Sequence, residues 1–199
     1  MPESKAARVQ SLSTALPWIL YFALPHVRLP VGAVIAAFIA SLYPAVSSAM
    51  RGTTIKLIDL VTLVFFAIGV VASFASASSA AMFSQYNFVL VWALFTAMAS
   101  ISLLIGKPFT LQFAREQTPR EFWNTPLFQH ANMVITLAWA AAFAINLVVA
   151  LIALRLGSNG AIVAGISQFI PMVGAVIFMN RYRASLQQQR AVPAPVSTV

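Results

Sequence analysis

The chain has 199 residues, of which 60% are hydrophobic and only 8% are charged. Ordinary soluble domains contain roughly 45–50% apolar and about 25% charged residues, so this composition excludes a water-soluble globule. The formal net charge of +8 does not indicate nucleic-acid binding, because the basic residues stand singly between apolar runs. The sequence has no cysteine, which excludes disulfides and thiolate metal sites. We therefore expect a membrane protein whose first partner is the lipid bilayer, with no nucleic acid.

Six apolar runs follow one another along the chain, and several reach the roughly 18 to 20 residues that a helix needs to cross a bilayer. Small residues at 76–81 separate the third run from the fourth, and Gly157-Ser158-Asn159-Gly160 form a turn before the sixth. We predict an all-α fold, a polytopic membrane protein of six transmembrane helices. They form one domain, residues 1–186, followed by a disordered cytoplasmic tail, residues 187–199. The runs cover residues 12–24, 31–50, 55–75, 88–105, 131–154 and 161–179.

The distribution of lysine and arginine predicts how the helices are oriented. With six spans, alternation places every basic residue except Arg28 and Arg155 on one side of the membrane. Both termini are therefore expected in the cytoplasm. Lys5 and Arg8 before the first run also resemble the start of a cleaved signal peptide, but no small-residue cleavage pattern follows that run. The first run is thus predicted to be a helix, the weakest of the six.

The longest loop, residues 106–129, is expected on the cytoplasmic side as an interfacial segment between helices 4 and 5. Aromatic and basic residues alternate in it, a composition suited to the headgroup layer, where the bases meet anionic lipid headgroups. The loop is interpreted either as a connector that rests on the lipid surface or as a docking site for membrane protein partners. The candidate docking residues are Lys107, Phe109, Phe113, Arg115, Arg120, Phe122 and Trp123.

Helix-start signals occur twice in this loop. Thr118-Pro119-Arg120-Glu121 matches a capping box with proline at the first helical position, which predicts a short interfacial helix from Pro119. Thr125-Pro126 repeats the cap and the proline without the acid, which predicts that the fifth helix begins near Pro126. A helix of about 29 residues would then extend roughly 43 Å, so it would protrude from the bilayer or tilt.

The chain offers no group of residues suited to catalysis or cofactor binding. Glu116 and Glu121 have no histidine or nucleophile at a spacing that builds acid–base chemistry. His26 and His130 fall on opposite sides of the bilayer, roughly 30 Å apart, which excludes a haem or metal ion bound by both. We expect a non-enzymatic protein with no catalytic residues, no cofactor and no metal.

Few polar residues lie within the apolar runs. Asp59, in the first turns of the third helix and shortly after Lys56, is interpreted as a salt-bridged interfacial cap or as a proton-coupling group. Asn146 and Gln168 lie at equal distances on either side of Gly157, so an antiparallel hairpin places both amides at one depth. Amides that face lipid leave hydrogen-bonding groups unpaired. We therefore predict an interhelical polar pair, with a polar substrate site as the alternative.

A recognisable pattern covers residues 106–144. It consists of Lys107-Pro108 after a membrane helix, Thr118-Pro119, Trp123 and Leu137-Ala138-Trp139-Ala140. This part of the chain resembles the bacterial intracellular septation protein A family, or a sister family, although residues 124–136 make a longer connection than the family has. The resemblance implies a multi-pass protein of the bacterial inner (plasma) membrane that takes part in the cell envelope and cell division through protein partners. It supplies no active-site residues.

Two functions from different classes are open on these grounds. The expected function is a scaffold or interaction partner in cell-envelope synthesis or septation. The alternative is a small-molecule or ion transporter or channel with a polar site near Asn146 and Gln168. A hydrated cavity lined by these two residues would favour the transporter.

Overall fold

The computed structural model describes residues 13–21, 30–156, 160 and 165–191. Every regular element in these residues is helical, which confirms the predicted all-α class. Residues 13–21 form the helical segment α1, and residues 165–167 are helical up to a turn at Gln168 before the last helix. The other helices are α2 (Pro30–Met50), α3 (Leu57–Ala75), α4 (Ala77–Leu104), α5 (Thr110–Glu116), α6 (Pro126–Arg155) and α7 (Phe169–Ala191).

Four of these helices, α2, α3, α4 and α6, are long and apolar enough to cross a bilayer. Large apolar side chains also cover their outward sides, and Ile39, Val71 and Phe74 are 60%, 68% and 71% exposed. Exposing such an apolar surface to water costs free energy, whereas exposing it to lipid does not. The described residues therefore have the helix lengths and the apolar surface that are typical of a membrane protein. Two of the six predicted spans, residues 12–24 and 161–179, fall partly outside the described ranges.

Helix α4 begins earlier than the sequence pattern predicts. The small residues 76–81 are expected to separate two spans, but only Ser76 interrupts the helices. Ser76 is extended, and its hydroxyl accepts a hydrogen bond from the backbone N–H of Ser79 at 3.0 Å. Serine is a favoured N-cap residue and the alanines near it are good helix formers, so a single residue is enough to start α4.

The helices pack side by side in chain order. Helix α2 contacts α3, α3 contacts α4, α4 contacts α6, and α6 contacts α7. Segment α1 lies beside α3, where Thr14 Oγ1 donates to Asp59 Oδ1 at 2.9 Å. Residues 51–56 and 105–125 meet at one end of the bundle, which we call the loop end. The turn at Ser76 lies at the opposite end.

The centre of the bundle is built largely from aromatic rings. The Trp18 ring centroid lies 5.4, 4.8 and 5.1 Å from those of Phe65, Phe66 and Phe95. Phe143 of α6 joins this cluster at 5.3 Å from Phe95. Aromatic pairs at such distances contribute about 0.5–1.5 kcal/mol each beyond the area they bury. Because lipid supplies no hydrophobic driving force between helices, this packing is a main source of their association.

Helix α7 runs past residue 186, where the sequence pattern places the end of the membrane domain, to Ala191. Residues 187–191 belong to this helix, and residues 192–199 of the predicted tail lie outside the described ranges. Glutamine, arginine and alanine favour helix. Leu186 and Gln187 also line a groove against α6, so the end of α7 has a surface to pack on.

Candidate functional site

The turn after α4 directs the chain back onto the bundle. Gly106 has a positive φ of 67°, and the N–H of Lys107 donates to the carbonyl of Ser102 at 3.0 Å, which closes the helix end. The Ser102 hydroxyl then accepts from the backbone N–H of Phe109 at 3.2 Å. Phe109 is buried, with its ring centroid 6.5 Å from that of Phe143. Predicted as a docking residue, Phe109 is instead a core residue, because the Gly106 turn folds it inward.

The short helix α5 is attached to the bundle on two sides. Towards α6, Thr110 Oγ1 lies 2.7 Å from Thr136 Oγ1 and 3.1 Å from the carbonyl oxygen of Asn132. Towards α3, the backbone N–H of Leu57 donates to Gln112 Oε1 at 2.7 Å. Hydrogen bonds of this kind contribute about 0.5–1.5 kcal/mol each. The loop is therefore built into the fold.

Only a weak signal in the sequence indicates these contacts. Asn132 and Thr136 are one helical turn apart and share a face of α6, which marks a polar stripe but names no partner. Helix α5 itself is missed, because its seven residues contain no side-chain cap and no proline. Ser102 and Gln112 stand in no pattern that distinguishes them from other polar residues.

A buried lysine joins the start of α3 to α5. Lys56 is 3% exposed, and its Nζ lies 2.9 Å from Glu116 Oε2 and 4.4 Å from the centroid of the Phe113 ring. The sequence predicts a salt bridge between Lys56 and Asp59, but Lys56 pairs with Glu116 instead. The reason is that Lys56 precedes α3 in an extended conformation, from which its side chain reaches α5. Phe113, a predicted docking residue, thus packs against the ammonium group.

Asp59 is the most deeply buried acid at the loop end, with 1% exposure. Its Oδ1 accepts from Thr14, while Oδ2 has no hydrogen-bond partner among the described residues. A buried carboxylate is costly unless it is paired and hydrogen-bonded, and the nearby charge of Lys56 offsets part of that cost. Lys56, Asp59 and Glu116 therefore act as one cluster of charges.

The outward side of the loop end carries a basic and aromatic patch of Arg115, Arg120, Phe122 and Trp123, which we call the outer face. Trp123 packs on a small apolar core, and its Nε1 donates to the carbonyl of Thr118 at 2.8 Å. The guanidinium carbons of Arg115 and Arg120 lie 5.2 and 5.7 Å from the Trp123 ring centroid, within cation–π range. Both arginines are exposed, and Phe122 is 39% exposed.

The structure therefore divides the predicted docking residues into two groups. The four residues of the outer face share one surface. Lys107 is exposed at the turn after α4, whereas Phe109 and Phe113 pack against the bundle. Composition alone does not separate these groups, because each contains aromatic residues of the same kind.

The two helix-start signals of the loop have different outcomes. Helix α6 begins at Pro126, with the Thr125 hydroxyl accepting from the N–H of Phe128 at 3.4 Å, and it has 30 residues, which confirms the second signal. The first signal produces a 3-10 helix of three residues, Arg120–Phe122, with Pro119 as its N-cap, so the short helix predicted from Pro119 forms only as this single turn. Proline after Thr125 holds that residue extended, with ψ of 140°, and too few residues remain for an α-helix.

The structure brings Asn146 of α6 next to Gln168, just before α7. Asn146 Nδ2 donates to the backbone carbonyl of Gln168 at 3.2 Å, and Gln168 Nε2 donates to the carbonyl of Gly165 at 3.0 Å. The contact is thus between a side chain and the backbone, because the helix is interrupted at Gln168, close to Pro171. Asn146 Oδ1 and Gln168 Oε1 have no partner among the described residues.

A groove of about 280 Å³ lies at the loop end between α5, α6 and α7. Asn146 and Gln168 do not line it. Its lining residues are Ala114, Gln117, Thr118, Leu127, Phe128, Ala131, Asn132, Ile135, Arg183, Leu186 and Gln187.

Comparisons with known proteins leave the site to be interpreted from its own geometry. A scan of protein-family models, a search of curated proteins and a search of solved structures each find no match to this chain. Within the described ranges, no three histidine, aspartate or glutamate side chains lie close enough together to hold a metal ion. The fold and the site are those of a helical bundle whose helices are long and apolar enough to span a membrane, with a basic aromatic surface fixed at one end.

Proposed function

We propose that this chain is a non-enzymatic scaffold of the bacterial inner (plasma) membrane that docks membrane protein partners through the outer face. Six transmembrane helices with both termini in the cytoplasm are part of the proposal. The positive-inside rule supports this orientation, because the two segments that meet at the loop end are rich in bases. These bases are Arg51, Lys56, Lys107, Arg115 and Arg120.

The observation that carries the proposal is the fixed position of the outer face. Helix α5 is attached to α3 by an ion pair and to α6 by buried hydroxyl groups, yet the arginines and Phe122 beside it are exposed. A connector that only rests on lipid gains nothing from these attachments. A preformed docking surface gains affinity from these attachments, because it avoids the free-energy cost of ordering a loop on binding. Arginine and aromatic residues also dominate the binding energy of many interfaces.

The charge of the outer face fits a partner with an acidic surface. Arg115 and Arg120 present two guanidinium groups to the outside beside one exposed acid, Glu121, whereas Glu116 is engaged by Lys56. Charges at the rim of an interface mainly raise the association rate and select the partner. We assign this docking to cell-envelope synthesis or septation on the resemblance of residues 106–144 to the septation protein A family.

A photo-crosslinking amino acid in place of Phe122 tests the proposal in native membranes. We expect discrete protein adducts, reduced at least about tenfold by R115E/R120E, because the complementary charges become like charges. The same amino acid in place of Phe74, which is 71% exposed at the opposite end of the bundle, is the control and should give no such adduct. Adducts with lipid alone, or adducts that the charge reversal leaves unchanged, would contradict docking.

A transporter or channel is the second candidate function, and it is favoured by the amide oxygens of Asn146 and Gln168, which have no hydrogen-bond partner among the described residues. Buried polar atoms without partners cost about 1–3 kcal/mol each, and transport paths retain polar groups to bind their cargo. A transporter predicts that N146L/Q168L abolishes ion or solute flux in vesicles while R115E/R120E does not. A scaffold predicts that N146L/Q168L leaves the adducts at residue 122 intact.

A further inference from the structure

The groove between α5, α6 and α7 combines an apolar floor with one basic side chain, Arg183, in its wall. Ala131 and Ile135 of α6 and Leu186 of α7 belong to the apolar part, and Arg183 and Gln187 supply polar groups. All of its lining residues are described, and none of them is acidic. Its volume of about 280 Å³ lies just below the roughly 300–1,000 Å³ of pockets that enclose a whole small molecule. The groove therefore suits one end of a larger amphipathic molecule.

We propose that this groove binds the headgroup of an anionic glycerophospholipid from the cytoplasmic leaflet. Basic pockets between membrane helices on the cytoplasmic side are suited to such headgroups, because the arginine meets the phosphate where the acyl chains stay in hydrocarbon. Arg183 is half-buried in the groove wall, whereas Arg181 is exposed and lies outside the groove lining. The inference rests on the orientation of the loop end proposed above, and it does not involve the outer face.

The groove also offers an exit for acyl chains. Seven residues are about two turns of an α-helix, so Val176 lies on the same face of α7 as Arg183 and deeper in the bundle. Val176 is 39% exposed, which leaves an apolar side chain facing outward along that path. A free phosphate ion would contact the arginine but would leave the apolar floor of the groove unoccupied. A phospholipid uses both.

Native mass spectrometry of the full chain, purified in detergent and delipidated, tests the proposal. We expect one short-chain phosphatidylglycerol to bind at least about fivefold more tightly than phosphatidylcholine with the same chains, because both present a phosphate but only phosphatidylcholine also carries a choline cation, which Arg183 repels. Arg183→Gln should remove this preference. Arg181→Gln, which changes an exposed arginine outside the groove lining, is the matched control and should preserve it.

A second variant tests the apolar floor. Ala131→Phe fills the groove and should abolish phosphatidylglycerol binding while the helix content by circular dichroism is unchanged. Equal affinity for the two lipids, equal effects of R183Q and R181Q, or displacement of the lipid by equimolar inorganic phosphate would overturn the proposal. The comparison of the two lipids on the unaltered chain decides the question even if a variant fails to fold. R115E/R120E changes the outer face only, and Arg183→Gln changes the groove only. A failure of protein docking can therefore be distinguished from a failure of lipid binding.

Discussion

Gly69 of α3 lies where three helices meet, and its substitution tests their packing. A Cβ atom at this position would lie 2.7 Å from Cζ of Phe83 in α4 and 3.0 Å from Cγ1 of Val34 in α2. Phe83 and Val34 are buried, and the Phe83 ring centroid is 5.3 Å from that of Phe65, so the ring has little room to move. Gly69→Ala is therefore expected to overpack the core.

The size of the effect follows from two opposing terms. Overpacking typically costs about 1–3 kcal/mol, whereas replacing glycine by alanine within a helix gains roughly 0.5–1 kcal/mol. Gly69→Ala should thus lower the free energy of unfolding by about 0–2.5 kcal/mol. Gly174→Ala in α7 is the matched control, because no described atom lies within 4 Å of a Cβ there. This substitution should only raise the free energy of unfolding. The difference between the two variants, about 1–3 kcal/mol, isolates the overpacking.

Unfolding of the purified protein by sodium dodecyl sulfate in mixed micelles, followed by tryptophan fluorescence, measures these free energies. Phe83→Leu in the Gly69→Ala background removes ring atoms from the clash and should restore part of the loss, with a coupling energy of at least about 0.5 kcal/mol. Equal stability of the Gly69→Ala and Gly174→Ala proteins would refute the close approach of α2, α3 and α4.

Further perturbations test the loop end and the amide pair in the same assay. Glu116→Gln leaves a buried ammonium group without its ionic partner and should cost about 1–3 kcal/mol, nearer the lower value because Glu116 is 42% exposed. The exposed control Glu121→Gln should change stability by less than about 0.5 kcal/mol. Thr125→Ala removes the N-cap of α6 and should cost about 0.5–2 kcal/mol. The coupling energy between Asn146→Leu and Gln168→Leu should stay within about 0.3–0.5 kcal/mol, since Asn146 bonds the backbone of Gln168.

Each of these expectations has a clear contrary result. Equal effects of the two glutamate substitutions would show that the ion pair contributes nothing to stability. No loss on Thr125→Ala would mean that its hydroxyl does not cap α6. A coupling energy of about 1 kcal/mol or more between the two amides would indicate a direct bond between their side chains.

The parts of the fold that depend on local chemistry were predictable from the sequence. Long apolar runs predict α2, α3, α4 and α6, because a spanning helix needs about 20 apolar residues whatever lies around it. Thr125-Pro126 predicts the start of α6, because a cap residue and a proline act within a single turn. The four residues of the outer face were found by composition, since they lie close together along the chain.

Contacts between distant residues were not predictable in the same way. The Lys56–Glu116 ion pair joins positions 60 residues apart, and nothing local favours Glu116 over Asp59 as the partner. Phe109 has the composition of an interfacial residue, but the Gly106 turn directs it into the core. In both cases the backbone between the residues decides the contact, and that path depends on the packing of the whole bundle.

Cysteine labelling in spheroplasts tests the central claim most directly, namely that a membrane-spanning bundle presents the loop end to the cytoplasm. The chain has no native cysteine, so single cysteines in place of Ser78 and Gln117, which are exposed at opposite ends of the bundle, carry the only label. We predict that a membrane-impermeant maleimide labels Ser78→Cys in intact spheroplasts and Gln117→Cys only after lysis. Labelling of Gln117→Cys from outside intact spheroplasts would contradict the account.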